Sequence, residues 1–457
     1  VEIPDGVTSI EKGTFSECSK LTSVVIPDSV TSIGGYAFYY CSSLAEVEIP
    51  DGVTSIGECA FTGCTSLTEV VIPDGVTSIG ESAFDRCSNL ASVVIGNSVQ
   101  SIGGYAFYYC SNLVEMEIPA SVTSIGKYAF SYCTSLATEL VIPDGVTSIE
   151  DEVFHYCRSL TKVVIPNSVT SIGREAFYLC SSLTKVVIPD SVQRIGGSAF
   201  AGCFGLTELV ISNSITSIEE SAFASCYGLT KVVIPGSVTK IGRGAFYNCN
   251  SLTNMEIPDS VTSIGEYAFS HCSSLTSVVV IGDNLTSIGN IAFDNCANLS
   301  GIYFTGAPPE LAPNVFSSYA FTVYYIYGTE GWGEEYGGRP TAVWTNKVNF
   351  DGNGGTPGIA EQTYNAGFPY GELPTANREG FDFAGWWTED DTQVDDETQV
   401  PLLTNEYTLY AKWASKYIVN FCLGGPGART GGGALQQEIL EGMDAEEPEF
   451  DVKPGWS

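Results

Sequence analysis

Residues 44–66 read LAEVEIPDGVTSIGECAFTGCTS. Leu44, Val47 and Ile49 alternate with Ala45, Glu46 and Glu48, the pattern of a strand with one buried face. Pro50-Asp51-Gly52 then supplies turn chemistry: proline presets φ, and Asp followed by Gly tolerates the tight geometry. Val53 and Ile56 return inward along a second short extended segment. Gly57 lets the chain turn again, and Ala60, Phe61 and Cys64 fall at one-turn helical spacing, which predicts a short helical turn.

The same unit recurs along most of the chain. Its proline column runs Pro4, Pro27, Pro50, Pro73, Gly96, Pro119, Pro143, Pro166, Pro189, Ser212, Pro235, Pro258 and Gly282, with ten steps of 23 residues and two of 24. A Phe column from Phe15 to Phe316 and a Leu column from Leu21 to Leu299 keep the same step. One coil cannot bury its apolar face alone, so roughly thirteen coils stack at the inter-strand distance into a solenoid about 60 Å long. Past residue 300 the pattern breaks: Pro308 and Pro309 replace the turn, and Phe316 has no cysteine after it, as expected of a capping repeat over 301–346.

Composition narrows the chemistry. The 457 residues are 44% hydrophobic and 16% charged, which suits folded domains rather than disorder. With 53 Asp and Glu against 19 Lys and Arg, the net charge of -34 disfavours nucleic acid and anionic lipid. Only two histidines, His155 and His271, are present, little material for a His-based metal site or a general base. His155 near Cys157 and His271 beside Cys272 raise a Cys-His dyad, but cysteines pointing into the core argue against it. Catalytic residues, metals and cofactors are therefore not expected.

Thirteen of the 15 cysteines occupy one repeat column from Cys18 to Cys296; Cys59 and Cys422 stand outside it. An odd count at the spacing of the coil itself favours buried free thiols over a disulfide framework. Asp5, Asp28, Asp51 and Asp74 recur at one turn position, where like charges a strand spacing apart raise a minor Ca²⁺ reading, but turn chemistry with solvated carboxylates is the stronger explanation. The Thr8, Thr31, Thr54 and Thr77 ladder raises an ice-binding face, weakened by interruptions at Gln100, Gln193, Arg194 and Lys240.

The open sheet face is the expected recognition surface. One outward column holds Val141, Val164, Val187, Val210 and Val233, and its neighbour holds Lys162, Lys185 and Lys231 among glutamates. An apolar stripe edged by charge suits a protein partner better than a small molecule, which needs a concave pocket. The three lysines are expected to meet acidic patches of that partner.

The IPDSVTSIGxxAFxxC unit, and the closing VYYIYGTEGWGEEYGGRPTAVW of 323–344, resemble the BspA-type leucine-rich repeats of bacterial surface proteins. The resemblance implies a leucine-rich-repeat solenoid, an α/β repeat with a parallel sheet and short helical turns, over 1–300. It also implies a secreted or cell-surface adhesin toward host matrix proteins or other cells. After Trp344 the repeat disappears and acidic residues dominate, 23 against 7 basic ones over 301–457. VNFDGNGG, REGFDFAGWW and YTLYAKW, over 347–413, resemble the Listeria-Bacteroides repeat, which implies a small β-rich, β-grasp-like stalk module. YIVNF onward, 417–457, resembles a second, truncated copy.

The chain opens and closes inside repeats and is read as a fragment, with no segment long and apolar enough for a membrane helix. The resulting expectation is a non-catalytic extracellular or cell-surface protein that binds a protein or cell-surface ligand. The alternatives are a self-associating surface scaffold, since an uncapped parallel sheet exposes a pairing edge, and the accessory region of an extracellular hydrolase.

Overall fold

The computed structural model describes residues 1–136, 139–280, 282–316, 319–402 and 406–415, and the backbone alone of 416–420, 428–432, 436–440 and 448–451. Cys422 and the closing Gly455, Trp456 and Ser457, part of the expected second module, lie outside the described residues. Two compact units are present: Val1–Tyr324 with Thr329–Ala342, and Tyr325–Gly328 with Val343–Ser457.

In the first unit a coil lays down two strands, for example Glu69–Ile72 and Ser78–Ile79. Val70 and Ile72 enter the core while Glu69 and Val71 face solvent, as the alternation requires. Successive coils pair in parallel, Glu69 opposite Ser92 and Ile72 opposite Ile95 on one side, Ser55 opposite Ser78 on the other. The first-strand ladder breaks between Glu46–Val47 and Glu69–Ile72, and again between Glu115–Met116 and Glu139–Val141, the second time in the coil where the step lengthens to 24 residues. Lys231–Ile234 carries the strand pattern but joins no ladder among the described residues. In the second 24-residue coil Ile257 stands opposite Val280, so the extra residue lies beyond Val280.

The expected helical turns do not form; no helix occurs among the described residues. Over Gly57–Cys64 the amides of Ala60, Thr62 and Cys64 close local turns on Gly57, Cys59 and Phe61, three residues back. The intervening amides of Cys59, Phe61 and Gly63 leave the coil and donate to the carbonyls of Glu81, Ala83 and Asp85 in the next one. Cys59 and Gly63 take left-handed backbone, φ 54° and 73°, which a right-handed helix cannot contain. The three-residue spacing of Phe61 and Cys64 fits this chain of β-turns as well as it fits a helix. Most coils place ordinary residues in the left-handed positions, among them Tyr36, Tyr40, Tyr105 and Tyr109. Each costs of order 1 kcal/mol that the inter-coil hydrogen bonds offset.

Gly57 serves close approach rather than positive φ. A Cβ there would sit 2.5 Å from the Gly35 amide nitrogen of the preceding coil, and Gly80, Gly103 and Gly196 are similarly crowded at 2.5 to 2.6 Å. Glu150 and Glu219 occupy the same column, so two coils accept the displacement a side chain demands.

The core is a ladder. Rings from Phe15 to Phe293 stack with centroids 5.0 to 5.8 Å apart and planes within 16°. Beside them each column cysteine from Cys41 to Cys296 donates its thiol to the Phe carbonyl of the preceding coil, at 3.0 to 3.4 Å. All described cysteines are free, and of the column only Cys18 is exposed. Burial pushes the Cys41 thiol up to about 11, and it raises the eleven that follow in the column too.

At the far end the ladder opens to 6.4 Å and 33° between Phe293 and Phe316. Trp332 and Tyr336 close it, packing on Phe304 and donating to the carbonyls of Gly306 and Pro309. The second unit is a mixed sheet in the order Glu361–Asn365, Thr345–Asp351, Glu406–Asn420, Phe381–Trp387 and Gln393–Val394, its second and third strands parallel. Val348, Phe350, Trp386 and Leu409 form its core. The Asn-Gly-Gly run has a mechanical reason. Asn353 donates its amide to the Ala411 carbonyl, and a Cβ at Gly355 would lie 2.3 Å from the Trp413 ring.

Truncating Phe177 to Ala should cost about 3 to 5 kcal/mol in urea unfolding, and Phe316→Ala, at the loosened end, less. The thiols give a pH signature. Because burial raises their pKa, the folded chain favours neutral thiols. That stabilisation is intact below the unfolded value near ~8.5 and is lost as pH rises through the raised folded values, at about 1.4 kcal/mol per pH unit per buried thiol. Circular dichroism should show steep alkaline unfolding, and alkylation of the folded chain near neutral pH followed by mass spectrometry should mark Cys18 and Cys59 but spare Cys41 to Cys296 of the column. Disulfide-linked or readily alkylated column cysteines would contradict the ladder.

Candidate binding face

The first-strand sheet leaves one face uncovered. Val25, Val71, Val94, Val141, Val164, Val187, Val210 and Val233 keep 37 to 68% of their surface exposed. Glu48, Glu117 and Glu256 interrupt the column and are exposed as well. From Val141 to Val233 five consecutive coils present valine without a break, and register sets Val141 opposite Val164 and Val187 opposite Val210. The stripe ends at Glu256; in the two following coils Val279 and Tyr303 occupy the column and are buried, and Tyr303 stacks on Tyr324 at 4.7 Å.

The charged column beside it is partly neutralised within the chain. Lys162 and Lys185 stand opposite each other in neighbouring coils. Like charges at one strand spacing repel, and each ammonium turns to the glutamate on its far side: Lys162 to Glu139 at 2.5 Å, Lys185 to Glu208 at 2.6 Å. Exposed pairs of this kind contribute about 0 to 1 kcal/mol. Lys231 enters no ion pair among the described residues. The three lysines therefore differ: two are engaged at home, and one presents a whole charge beside the most exposed valine, Val233. Sequence spacing puts all three in one column but does not reveal which carboxylate each one reaches.

The sequence reading missed a shallow open groove of about 990 Å³ on this face, at the second break in the ladder. Glu115, Glu117, Glu139 and Asp144 line it together with Val94 and Val141, and no basic residue does. The signal for it was the step of 24 residues between Pro119 and Pro143.

Other candidate chemistry disperses. Cys157 and Cys272 give their thiols to Phe130 and Phe246 carbonyls, so neither histidine forms a Cys-His dyad. The Asp turn column gathers no three carboxylates among the described residues; Asp74 and Asp190 instead accept the backbone amides of Asn97 and Asn213 in the next coils. In the Thr ladder, Thr31, Thr54, Thr123, Thr170, Thr239, Thr262 and Thr286 donate their hydroxyls to carbonyls of the preceding coil at 2.9 to 3.2 Å, so much of the ladder is bonded within the chain.

The tyrosines on the turn side form stacks of their own, Tyr109 on Tyr132 at 4.5 Å and Tyr132 on Tyr156 at 4.7 Å. Their faces cover one another, which leaves edges rather than flat rings to solvent.

Known proteins share both units. Residues 1–114, 100–230 and 195–322 match the BspA type leucine rich repeat region (6 copies), and 347–412 match the Listeria-Bacteroides repeat domain. A leucine-rich repeat protein from Bacteroides ovatus is 31% identical over 66% of this chain and 86% of its own, with a TM-score of 0.57. A leucine rich cell surface protein from Faecalibacterium prausnitzii is 32% identical over 68% of this chain and 88% of its own, with a TM-score of 0.43. No curated protein matches the chain. Both repeat types are typical of bacterial surface proteins, and no helix among the described residues is long and apolar enough to cross a membrane. On its repeat unit, its parallel solenoid and these matches, the chain belongs to the BspA-type leucine-rich repeat family and carries a Listeria-Bacteroides repeat after its solenoid.

Proposed function

We propose that this chain is a non-catalytic, adhesin-like protein of a bacterial surface, which binds a protein ligand through the open sheet face while the Listeria-Bacteroides module serves as a stalk. The observation that carries the reading is the unbroken run Val141, Val164, Val187, Val210 and Val233, exposed on five successive coils. Solvated β-branched residues on a flat sheet are good strand formers in any case, but a contiguous apolar stripe with a charged edge is also how a protein contact surface is built. The partner that fits has an apolar patch with acidic groups at one edge, facing Lys231. The leucine rich cell surface protein of Faecalibacterium prausnitzii is consistent with display at a surface.

Binding of the full chain to immobilised host matrix proteins, mucins and intact bacterial cells tests this at two salt concentrations. Val164→Thr, Val187→Thr and Val210→Thr combined keep β-branched shape while removing the apolar strip, and should weaken binding at least about tenfold with unchanged folding. Lys231→Glu should slow association more than Lys162→Glu or Lys185→Glu, and the difference should shrink at high salt. No saturable binding to any of these surfaces, or affinities indifferent to the valines, would overturn the proposal.

A further inference from the structure

On the turn side of the solenoid, away from the sheet face, three electron-pair donors converge. Glu152 and His155 belong to one coil, and Glu175 occupies in the next coil the position that Glu152 holds in its own. One ligand atom from each lies within 4.8 Å of the others, the only such group of three among the described residues. His155 is 7% exposed. Its ring stacks on Tyr178 at 5.1 Å and meets the edge of Tyr132 at 5.3 Å, so its plane is fixed. Nδ1 lies 3.4 Å from Ser131 Oγ, itself fully buried, and Nε2 lies 3.6 Å from Glu175 Oε2.

The carboxylates are held from behind. Glu152 Oε1 accepts the Tyr128 hydroxyl at 2.7 Å, and Glu175 Oε1 accepts Arg174 Nη2 at 2.7 Å. Glu175 keeps its second oxygen, Oε2, toward His155. Nε2 of the fixed ring and Oε2 of Glu175 face each other across 3.6 Å, and a Glu152 oxygen lies within reach of both. The ring orientation set by Ser131, and the carboxylate oxygens set by Tyr128 and Arg174, are the outer partners that metal ligands characteristically have.

We propose that Glu152, His155 and Glu175 form a divalent-cation site that staples two adjacent coils. One imidazole nitrogen and two carboxylate oxygens suit Zn²⁺, with small side-chain adjustments bringing them to about 2.0 to 2.2 Å and water completing the tetrahedron. Elsewhere these columns hold Ser82 with Asp85, Tyr105 with Tyr108, and Ser198 with Ala201, none of which supplies such a set.

The test uses the full chain carrying Cys18→Ser and Cys59→Ser, which removes the accessible described thiols. Co²⁺ is the probe and Zn²⁺ the competitor. A single equivalent of Co²⁺ should bind with visible d–d bands and without thiolate charge-transfer absorption, be displaced by Zn²⁺, and raise the unfolding temperature. His155→Asn and Glu175→Gln should each weaken binding at least about tenfold. Glu266→Gln, at a half-buried carboxylate of another coil that pairs with Arg243, should leave it intact. Should His155→Asn fail to fold, the isosteric Glu152→Gln with Glu175→Gln provides the same comparison. Many weak equivalents indifferent to these substitutions would mean that only the acidic surface binds cations, and would overturn the site, as would no binding at all.

Discussion

Everything in the solenoid depends on the neighbour-to-neighbour bonding of the turn layer. Phe61 sends its amide to Ala83, Phe84 to Ala106 and Phe107 to Ala129, at 2.7 to 2.8 Å, while the side chains of the same residues stack on one another. A buried amide without a partner is costly, so a coil in isolation would leave both its Phe surface and its alternate amides unsatisfied. One geometry answers both needs, and it fixes the period. Adding a residue is tolerated only where neither the Phe ladder nor the inward strand positions must shift. In the second 24-residue coil the strand register is kept as far as Val280, opposite Ile257.

That constraint explains which columns are monotonous and which vary. The Phe, Cys, Leu and strand-facing Val and Ile columns carry the stacking, and the glycine column admits a close backbone. The sheet face and the outer turn positions carry none of it, so charge, valine, tyrosine and histidine can change from coil to coil without disturbing the ladder. Binding chemistry in such a molecule resides in these free columns, the valine stripe on the sheet side and the Glu152, His155, Glu175 cluster on the turn side. The buried core separates the two surfaces, so substitutions at one need not act through the other.

Much of this was readable from residues 44–66. Alternation identified the first strand, Pro-Asp-Gly the turn, and a column lying between the inward Phe and Leu columns identified the cysteines as packed thiols. The helical turn was misread for a physical reason: hydrogen bonds to the residue three back and positive φ at Cys59 and Gly63 reproduce the spacing of a helix but send alternate amides outward. Only glycines such as Gly63 and Gly202 hinted at left-handed backbone, because tyrosine, serine and glutamate fill that position elsewhere. Cross-coil pairs were half legible. Glu152 and Glu175 are one period apart and must be neighbours, yet nothing in the letters told that His155 turns toward them instead of toward Cys157. Likewise, the period aligned Lys162 with Lys185 but not each with its glutamate.

Residue-resolved amide exchange on the full chain tests the central claim most directly. If the turn layer is bonded coil to coil, the amides of Phe84, Phe107, Phe177 and Phe200 should be protected as strongly as the strand amides of Ile79 and Ile102 and should open with them. Turn-layer amides that exchange freely while the strands stay protected would show that the sheets alone hold the coils together, and would contradict the account.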